Sequence, residues 1–264
     1  NFTIRNLLTN SSRSLLTLNL GERFRARAEH MEYVGRTRNF SVSLGAQYEF
    51  LDFNAYDDYE ETAIYRQQYV KSDLRVGYAA HRKFSTAIGT RFETLRYRPS
   101  LKAAFNAGGK NSFFTTYLQV RFNTLDRNVY PKKGIRAESA LEWVYGQNGN
   151  ITYYENGREI FNTDSLALSY DPYARTTAQI ETYTPTGRNG TFMTLSQAGI
   201  NFNYNQYFLN DFYVGGLTRL FRNQVIFAGY QERMRTTGSL LAFQTGYRKQ
   251  LYNNLYAQCK SNIT

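Results

Sequence analysis

The chain has one cysteine, four prolines, two histidines and one tryptophan among 264 residues. With Cys259 alone, no internal disulfide and no cysteine-built zinc or iron–sulfur site can form. The longest unbroken apolar runs are four residues, Val225 to Ala228 and Leu240 to Phe243, far short of the ~20 that a membrane-spanning helix needs. A helical membrane protein is therefore excluded. Also missing are the GxSxG nucleophile elbow, the phosphate-cradling GxxxxGK and the HExxH zinc pair. No catalytic residue, cofactor or metal site is expected in this chain. His30 and His81 stand without a second ligand at useful spacing and read as ordinary strand or turn positions. Cys259 reads as a small apolar strand residue. Acid is scarce as well: 32 Lys plus Arg face 21 Asp plus Glu, a net charge of +11. Such a surplus favours phosphate-bearing partners, nucleic acid or anionic lipid. Nucleic-acid recognition needs a compact basic patch with stacking aromatics; here both are spread along the chain, so no nucleic-acid partner is expected. No charged, apolar, small-residue leader pattern is visible at Asn1.

What the chain has is alternation. Phe40, Val42, Leu44, Ala46, Tyr48 and Phe50 are apolar, while Asn39, Ser41, Ser43, Gly45, Gln47 and Glu49 between them are polar or lack a side chain. One face is greasy and the other wet, the signature of a strand. The pattern returns at Leu74, Val76 and Tyr78, at Phe114, Leu118, Val120 and Phe122, and at Ile135, Ala137, Leu141, Trp143 and Tyr145. Further strands are expected over Phe2–Thr9, Ser14–Leu20, Arg23–Val34, Phe84–Tyr97, Tyr173–Tyr183, Phe192–Tyr204, Ser239–Tyr247 and Leu251–Cys259, about a dozen in all. Many reach the ~9–11 residues that cross a bilayer at a tilt. Short connections at Gly35–Arg38 and Ala80–Lys83 alternate with long polar ones at Asp52–Thr62, Pro99–Asn111, Gly146–Ser169 and Asn205–Thr237, as short periplasmic turns alternate with long outer loops. A soluble sandwich is the competing reading, but its packed core would place apolar residues where this chain repeatedly places Arg, Glu and Gln. A propeller lacks support because no repeat of equal length recurs. The expected fold is all-β, a transmembrane antiparallel β-barrel. Arg23, Arg25 and Arg27 share one face: a hydrated lumen wall, or near the rim a contact for lipid phosphates.

Residues 122–138 resemble the strand, turn, strand signature of the BamA-like outer-membrane assembly superfamily through Asn123, Thr124, Leu125, Asp126, Pro131, Gly134 and Arg136 to Glu138. Physically, Asp126 can close a side-chain turn, Pro131 fixes φ and Gly134 permits a positive φ before the next strand. Residues 212–230 resemble that superfamily's inward-folded sixth outer loop, with Gly215, Gly216, Gly229 and Tyr230 matching. Where the assembly factors carry a lumen-facing Arg, this chain has Ala228. The opening Asn1 to Leu8, the stretch Leu18 to Glu29 and the run Arg222 to Tyr230 are more similar to the C-terminal barrel of bacterial patatin-like phospholipases.

These resemblances imply a barrel of about 16 strands, of which about 12 fall in residues 1–264, in the outer membrane of a Gram-negative bacterium. The chain is expected to continue on both sides. Three functions follow: a barrel anchoring or serving a patatin-like lipid hydrolase whose catalytic domain lies elsewhere, an assembly or translocation pore for outer-membrane polypeptides, or a diffusion porin. Expected partners are the bilayer, with anionic lipid or lipopolysaccharide, and other membrane or periplasmic proteins. The acidic segment Asp52–Glu61 is expected outside the cell. Asn205–Thr237 is expected to fold into the lumen, with Arg219 and Arg222 meeting Glu138 and Glu142, the carboxylates on the polar face of the strand after Pro131.

Overall fold

The computed structural model describes residues 2–5, 11–21, 23–57, 60–101, 105–155, 158–160, 170–203, 210–216, 223–252 and 255–263. Its strands are β1 (Phe2–Arg5), β2 (Ser12–Asn19), β3 (Arg23–Val34), β4 (Phe40–Asp57), β5 (Glu60–His81), β6 (Phe84–Leu101), β7 (Phe105–Asn123) and β8 (Gly134–Glu155). They continue with β9 (Arg158–Ile160), β10 (Tyr173–Thr186), β11 (Gly190–Phe202), β12 (Phe212–Val214), β13 (Gln224–Val225), β14 (Arg235–Thr237), β15 (Ser239–Tyr252) and β16 (Leu255–Ile263). One sheet runs β1-β2-β3-β4-β5-β6-β7-β8-β10-β11-β15-β16, with β9 extending β8. The path follows chain order apart from β12, β13 and β14, which form a separate small sheet. This is the antiparallel sheet of a β-barrel.

Alternation decides the facing. Leu44 is 61 % exposed whereas Glu49, five residues on and of opposite parity, is 2 % exposed. Phe40, Val42, Leu44 and Tyr48 of β4 share the outward face with Val70, Leu74, Val76 and Tyr78 of β5 and with Leu118, Val120, Leu141 and Trp143. In a soluble protein so many exposed apolar side chains would be a liability; in lipid they are the solvent-facing surface. Cross-strand aromatic pairs stiffen it, with Phe40 and Tyr78 at 4.8 Å and Phe92 and Phe114 at 5.1 Å between ring centroids. On β4 the apolar stripe ends where Asp52 takes the outward position and pairs with Arg66 of β5 at 2.7 Å. From Phe40 to Phe50 the strand spans roughly 35 Å, about 25 Å of bilayer at a 45° tilt.

Two expectations need correction. Asp52–Thr62, Pro99–Asn111 and Gly146–Ser169 are not loops over most of their length: β4 runs to Asp57, β5 starts at Glu60, β6 runs to Leu101, β7 starts at Phe105 and β8 runs to Glu155. Beyond the bilayer the outward face meets water while the inward face packs on a buried cluster that includes Leu51, Phe53, Tyr97 and Phe113, so the lipid-facing alternation is lost or reversed while the backbone ladder continues. The stretch Leu251–Cys259, read as one strand, is divided between β15 and β16, because the alternation there spans two strands that pair with one another.

Leu44 sits in the middle of the outward stripe, and Leu44→Arg is expected to cost about 2–4 kcal/mol, the penalty for a charge at the bilayer midplane. Heat-modifiability gels should show a reduced folded fraction for Leu44→Arg and an unchanged one for Gln47→Leu. Normal assembly of Leu44→Arg would reverse the facing.

Candidate functional site

Across the inner face runs a band of charge built by residues of equal parity on neighbouring strands. Arg23 and Arg25 of β3 reach Glu49 of β4 at 2.8 and 2.6 Å. Arg75 of β5 reaches back to Glu29 of β3 at 3.0 Å. Tyr117 of β7 donates to Asp73 of β5 at 2.9 Å, and Tyr69 and Thr115 donate to the buried Glu93 of β6 at 2.5 and 3.3 Å. Glu142 of β8 lies between two guanidiniums, Arg91 of β6, which it contacts directly, and Arg175 of β10 at 3.7 Å. Lys71, Asp73, Arg91 and Glu142 line a cavity of about 170 Å³ in this band. The wall is thus a network of nearly compensated charge.

An apolar layer adjoins it. Leu51, Phe53, Tyr69, Leu95, Tyr97, Phe113, Val144 and Tyr173 form one buried cluster, and Tyr213 from the loop after β11 completes it. That loop is held on itself by its glycines. Gly215 and Gly216 have φ of 134° and 81°, a region closed to most side chains. A Cβ on Gly215 would run into the carbonyl oxygen of Gln231. With that space free, Gly215 N donates to Val225 O at 3.1 Å and Gly216 N to Tyr230 O at 2.9 Å, while Gln224 donates its side-chain amide to Gly215 O at 2.6 Å. β12 therefore pairs with β13 in parallel and with β14 antiparallel. Gly229 also has positive φ, 96°, but is open to its surroundings. Tyr230 packs on Phe227 at 4.8 Å.

Two buried arginines fasten this small sheet across the inner face. Arg233, within the loop, lies 3.6 Å from the Phe53 ring centroid and 3.9 Å from that of Tyr213, with Tyr97 at 5.4 Å, and donates to Gln67 at 3.3 Å. Arg175, on the wall, is fully buried; it donates to Asn210 O at 2.6 Å, to Asn223 Oδ1 at 3.2 Å and to Asn201 Oδ1 at 2.7 Å. At Gly199 of β11 the absent side chain leaves room for the Phe212 ring. Farther round, Asn262 of β16 donates to Ala228 O at 2.7 Å. The loop thus contacts β4, β5, β6, β10, β11 and β16, and it folds inward.

Arg219 and Arg222 lie outside the described residues, so their expected contacts are not described either. The two carboxylates assigned to them have wall partners: Glu142 has Arg91 and Arg175, and the exposed Glu138 has Arg121 at 3.9 Å. Among the described residues the guanidinium that holds loop backbone belongs to the wall, Arg175, and the loop's own contribution is Arg233. Sequence reasoning named neither. Arg175 falls in register with the inward Tyr173, a signal that parity provides; Arg233 carries no local signal, because its partners Phe53, Gln67 and Tyr97 are distant in the chain.

The turn between β7 and β8 is at the opposite end of the sheet. Asp126 Oδ1 accepts from Lys132 N at 2.9 Å and Lys133 N at 3.2 Å, and Gly134, at φ 118°, comes so close to the Thr124 carbonyl that a Cβ would collide with it. Pro131 is buried, and its carbonyl accepts from Arg248 of β15. Partial burial raises the Asp126 pKa, but the Lys133 and Lys132 amides, together with Arg127, outweigh it and hold the group below its ordinary value. Its folded-state pKa being depressed, the stabilisation is complete above the unfolded value of about 3.9 and is lost as pH falls through the folded value. Hydrogen exchange at Lys132 and Lys133 is expected to accelerate, beyond its intrinsic pH dependence, only below pH ~4 in the wild type and to be fast throughout in Asp126→Asn. Protection in Asp126→Asn equal to the wild type would contradict this.

Among the described residues no group of three or more His, Cys, Asp or Glu side chains is arranged to hold a metal ion. A family model described as the OMP85 superfamily matches residues 1–264. No curated protein matches the sequence significantly. Among solved structures, the chain is similar to BamA from Haemophilus ducreyi lacking POTRA domains 1–3, with a TM-score of 0.61 and 12% identity over 94% of this chain and 49% of that one. It thus spans about half the length of that BamA chain. The translocator domain of the autotransporter NalP from Neisseria meningitidis matches with a TM-score of 0.44 and 9% identity, over 95% of this chain and 79% of that one.

Proposed function

The chain belongs to the OMP85 superfamily of Gram-negative outer-membrane β-barrels, and from that premise we propose that it is the membrane-embedded barrel of a polypeptide assembly or translocation factor, closed at rest by its inward loop. The carrying observation is the loop's attachment: Arg233 in an aromatic sandwich and Arg175 on loop carbonyl and amide groups, both joining the loop to the wall. The arginine contacts are polar and cation–π and can be exchanged for equivalent contacts to a passing extended chain, while Phe212 and Tyr213 supply the apolar part of the seal. A diffusion porin needs a standing aqueous path, and a loop fastened to β4, β5, β6, β10, β11 and β16 counts against one.

A second reading keeps the barrel as the anchor of a patatin-like lipid hydrolase. Ala228 favours it, since the assembly factors place a lumen-facing Arg at that position and this chain contributes only a backbone carbonyl there, to Asn262. Full-length protein in proteoliposomes separates the two. The assembly reading expects faster folding of a urea-unfolded outer-membrane client and little steady ion conductance. Conductance without client folding would indicate a porin. Neither, accompanied by phospholipid hydrolysis, would indicate the anchor.

A further inference from the structure

The charge surplus of +11 is not spread over the molecule. The connections β3–β4, β5–β6, β7–β8 and β10–β11 all lie at one end of the antiparallel sheet. Arg36 and Arg38 occupy the first of these turns, Arg82 and Lys83 the second, Arg127, Lys132 and Lys133 the third, and Arg188 the fourth. Against these eight cations stands one carboxylate, Asp126, already engaged by two backbone amides and by Arg127 at 3.4 Å. Eight less one leaves seven, well over half of the chain's surplus of eleven. All but Lys132 are exposed. The opposite end mixes signs, its β4–β5 hairpin alone carrying Asp52, Glu60 and Glu61 beside Arg66.

The rim is continuous with the lipid-facing surface. Phe40 follows Arg38 by two residues and Phe84 follows Arg82 by two; both rings are exposed on the outward face, as are Tyr78, which packs on Phe40, and Phe122, which pairs with Phe84. Aromatic girdles of this kind mark the interface of a membrane barrel. Two strand residues advance the chain by roughly 7 Å, the step from the edge of the hydrocarbon to the phosphates.

We propose that this cationic rim is a binding surface for anionic phospholipid headgroups of the periplasmic leaflet, so that the barrel selects anionic over zwitterionic lipid at that rim. The position of the charge against the girdle favours lipid over an acidic protein domain, which would need the cations to face away from the bilayer. The proposal is independent of whether the barrel moves polypeptides, and its test uses no client.

Full-length protein in nanodiscs carries a spin-labelled phosphatidylglycerol or phosphatidylcholine probe, and the motionally restricted fraction of each is read by electron spin resonance. The wild type is expected to prefer phosphatidylglycerol by about threefold or more at low salt, and the preference is expected to shrink toward one at ~1 M NaCl as charges are screened. The variant Arg36→Gln/Arg38→Gln/Arg82→Gln/Lys83→Gln should lose most of the preference, whereas Arg96→Gln/Lys110→Gln, on exposed residues paired near the other end of the sheet, should keep it. If the fourfold variant does not assemble, the wild-type salt titration decides alone. Equal restriction of both lipids by the wild type, a salt-independent preference, or loss only in the Arg96/Lys110 variant overturns the proposal. Unchanged lipid preference in the fourfold variant, with lost capture of an acidic periplasmic domain, overturns it in favour of protein docking.

Discussion

Arg233→Ala is expected to turn a quiet barrel into one with frequent openings in planar bilayers. The guanidinium lies between Phe53 of β4 and Tyr213 of the loop and donates to Gln67 of β5, so truncation removes the cation shared by two facing rings and leaves Gln67 without that donor. A desolvated cation–π contact contributes about 2 kcal/mol or more, and a shift of that size multiplies the open population roughly 30-fold. Tyr97 and Tyr213 remain in contact through their hydroxyls at 3.2 Å, so the loop should open and reclose rather than unfold. Arg233→Lys restores charge but not the planar stack and should fall between the two. Wild-type-like silence in Arg233→Ala would remove Arg233 as the fastener.

The second large effect is expected at Glu142. Its carboxylate faces Arg91 and the fully buried Arg175; Glu142→Ala leaves Arg175 short of this counter-charge and Arg91 with Glu93 at 3.5 Å. Removing one member of a buried ionic group typically costs about 3–5 kcal/mol, whereas replacing the group by apolar residues of similar size is often neutral. Glu142→Ala should therefore lower the urea midpoint strongly, and Glu142→Leu/Arg175→Met should recover much of the loss. Because Arg175 also holds Asn210 O, that double variant should become conductive even where it is stable. A double variant as unstable as the single one would show that these charges do not act as a unit.

The facing of the sheet is legible in the sequence because lipid on one side and a wet lumen on the other impose opposite chemistry on successive residues. Phe40 to Phe50 give β4's membrane crossing without any contact being known. The same physics explains what is not legible. From Leu51 onward the polarity of the alternation reverses, with Leu51 and Phe53 turned into the buried cluster and Asp52 and Asn54 outward to water, so the continuation of β4 to Asp57 reads as a break in the lipid-facing pattern. The glycine pair Gly215 and Gly216 stands out in the sequence, and positive φ with a blocked Cβ is the reason such residues are needed there. Arg233 is invisible for the opposite reason: its hydrogen-bond partner Gln67 is 166 residues away, and only the inward path of the loop across the sheet brings them together. Arg175 lies between these cases, its inward direction readable from parity and its hold on Asn210 and Asn223 set by the loop's path.

The most direct measurement of the central claim is a reversible tether between loop and wall. In a Cys259→Ser background, Tyr97→Cys and Tyr213→Cys place thiols at the bases of two side chains whose hydroxyls now meet, and a reducible, bis-thiol-reactive cross-linker long enough to replace the two rings can bridge them. If the loop must leave the wall for a polypeptide to be handled, cross-linked protein in proteoliposomes should stop accelerating client folding, and reduction should restore it, with either single-cysteine variant unaffected. Client folding at the full rate with the tether shown intact would contradict the account.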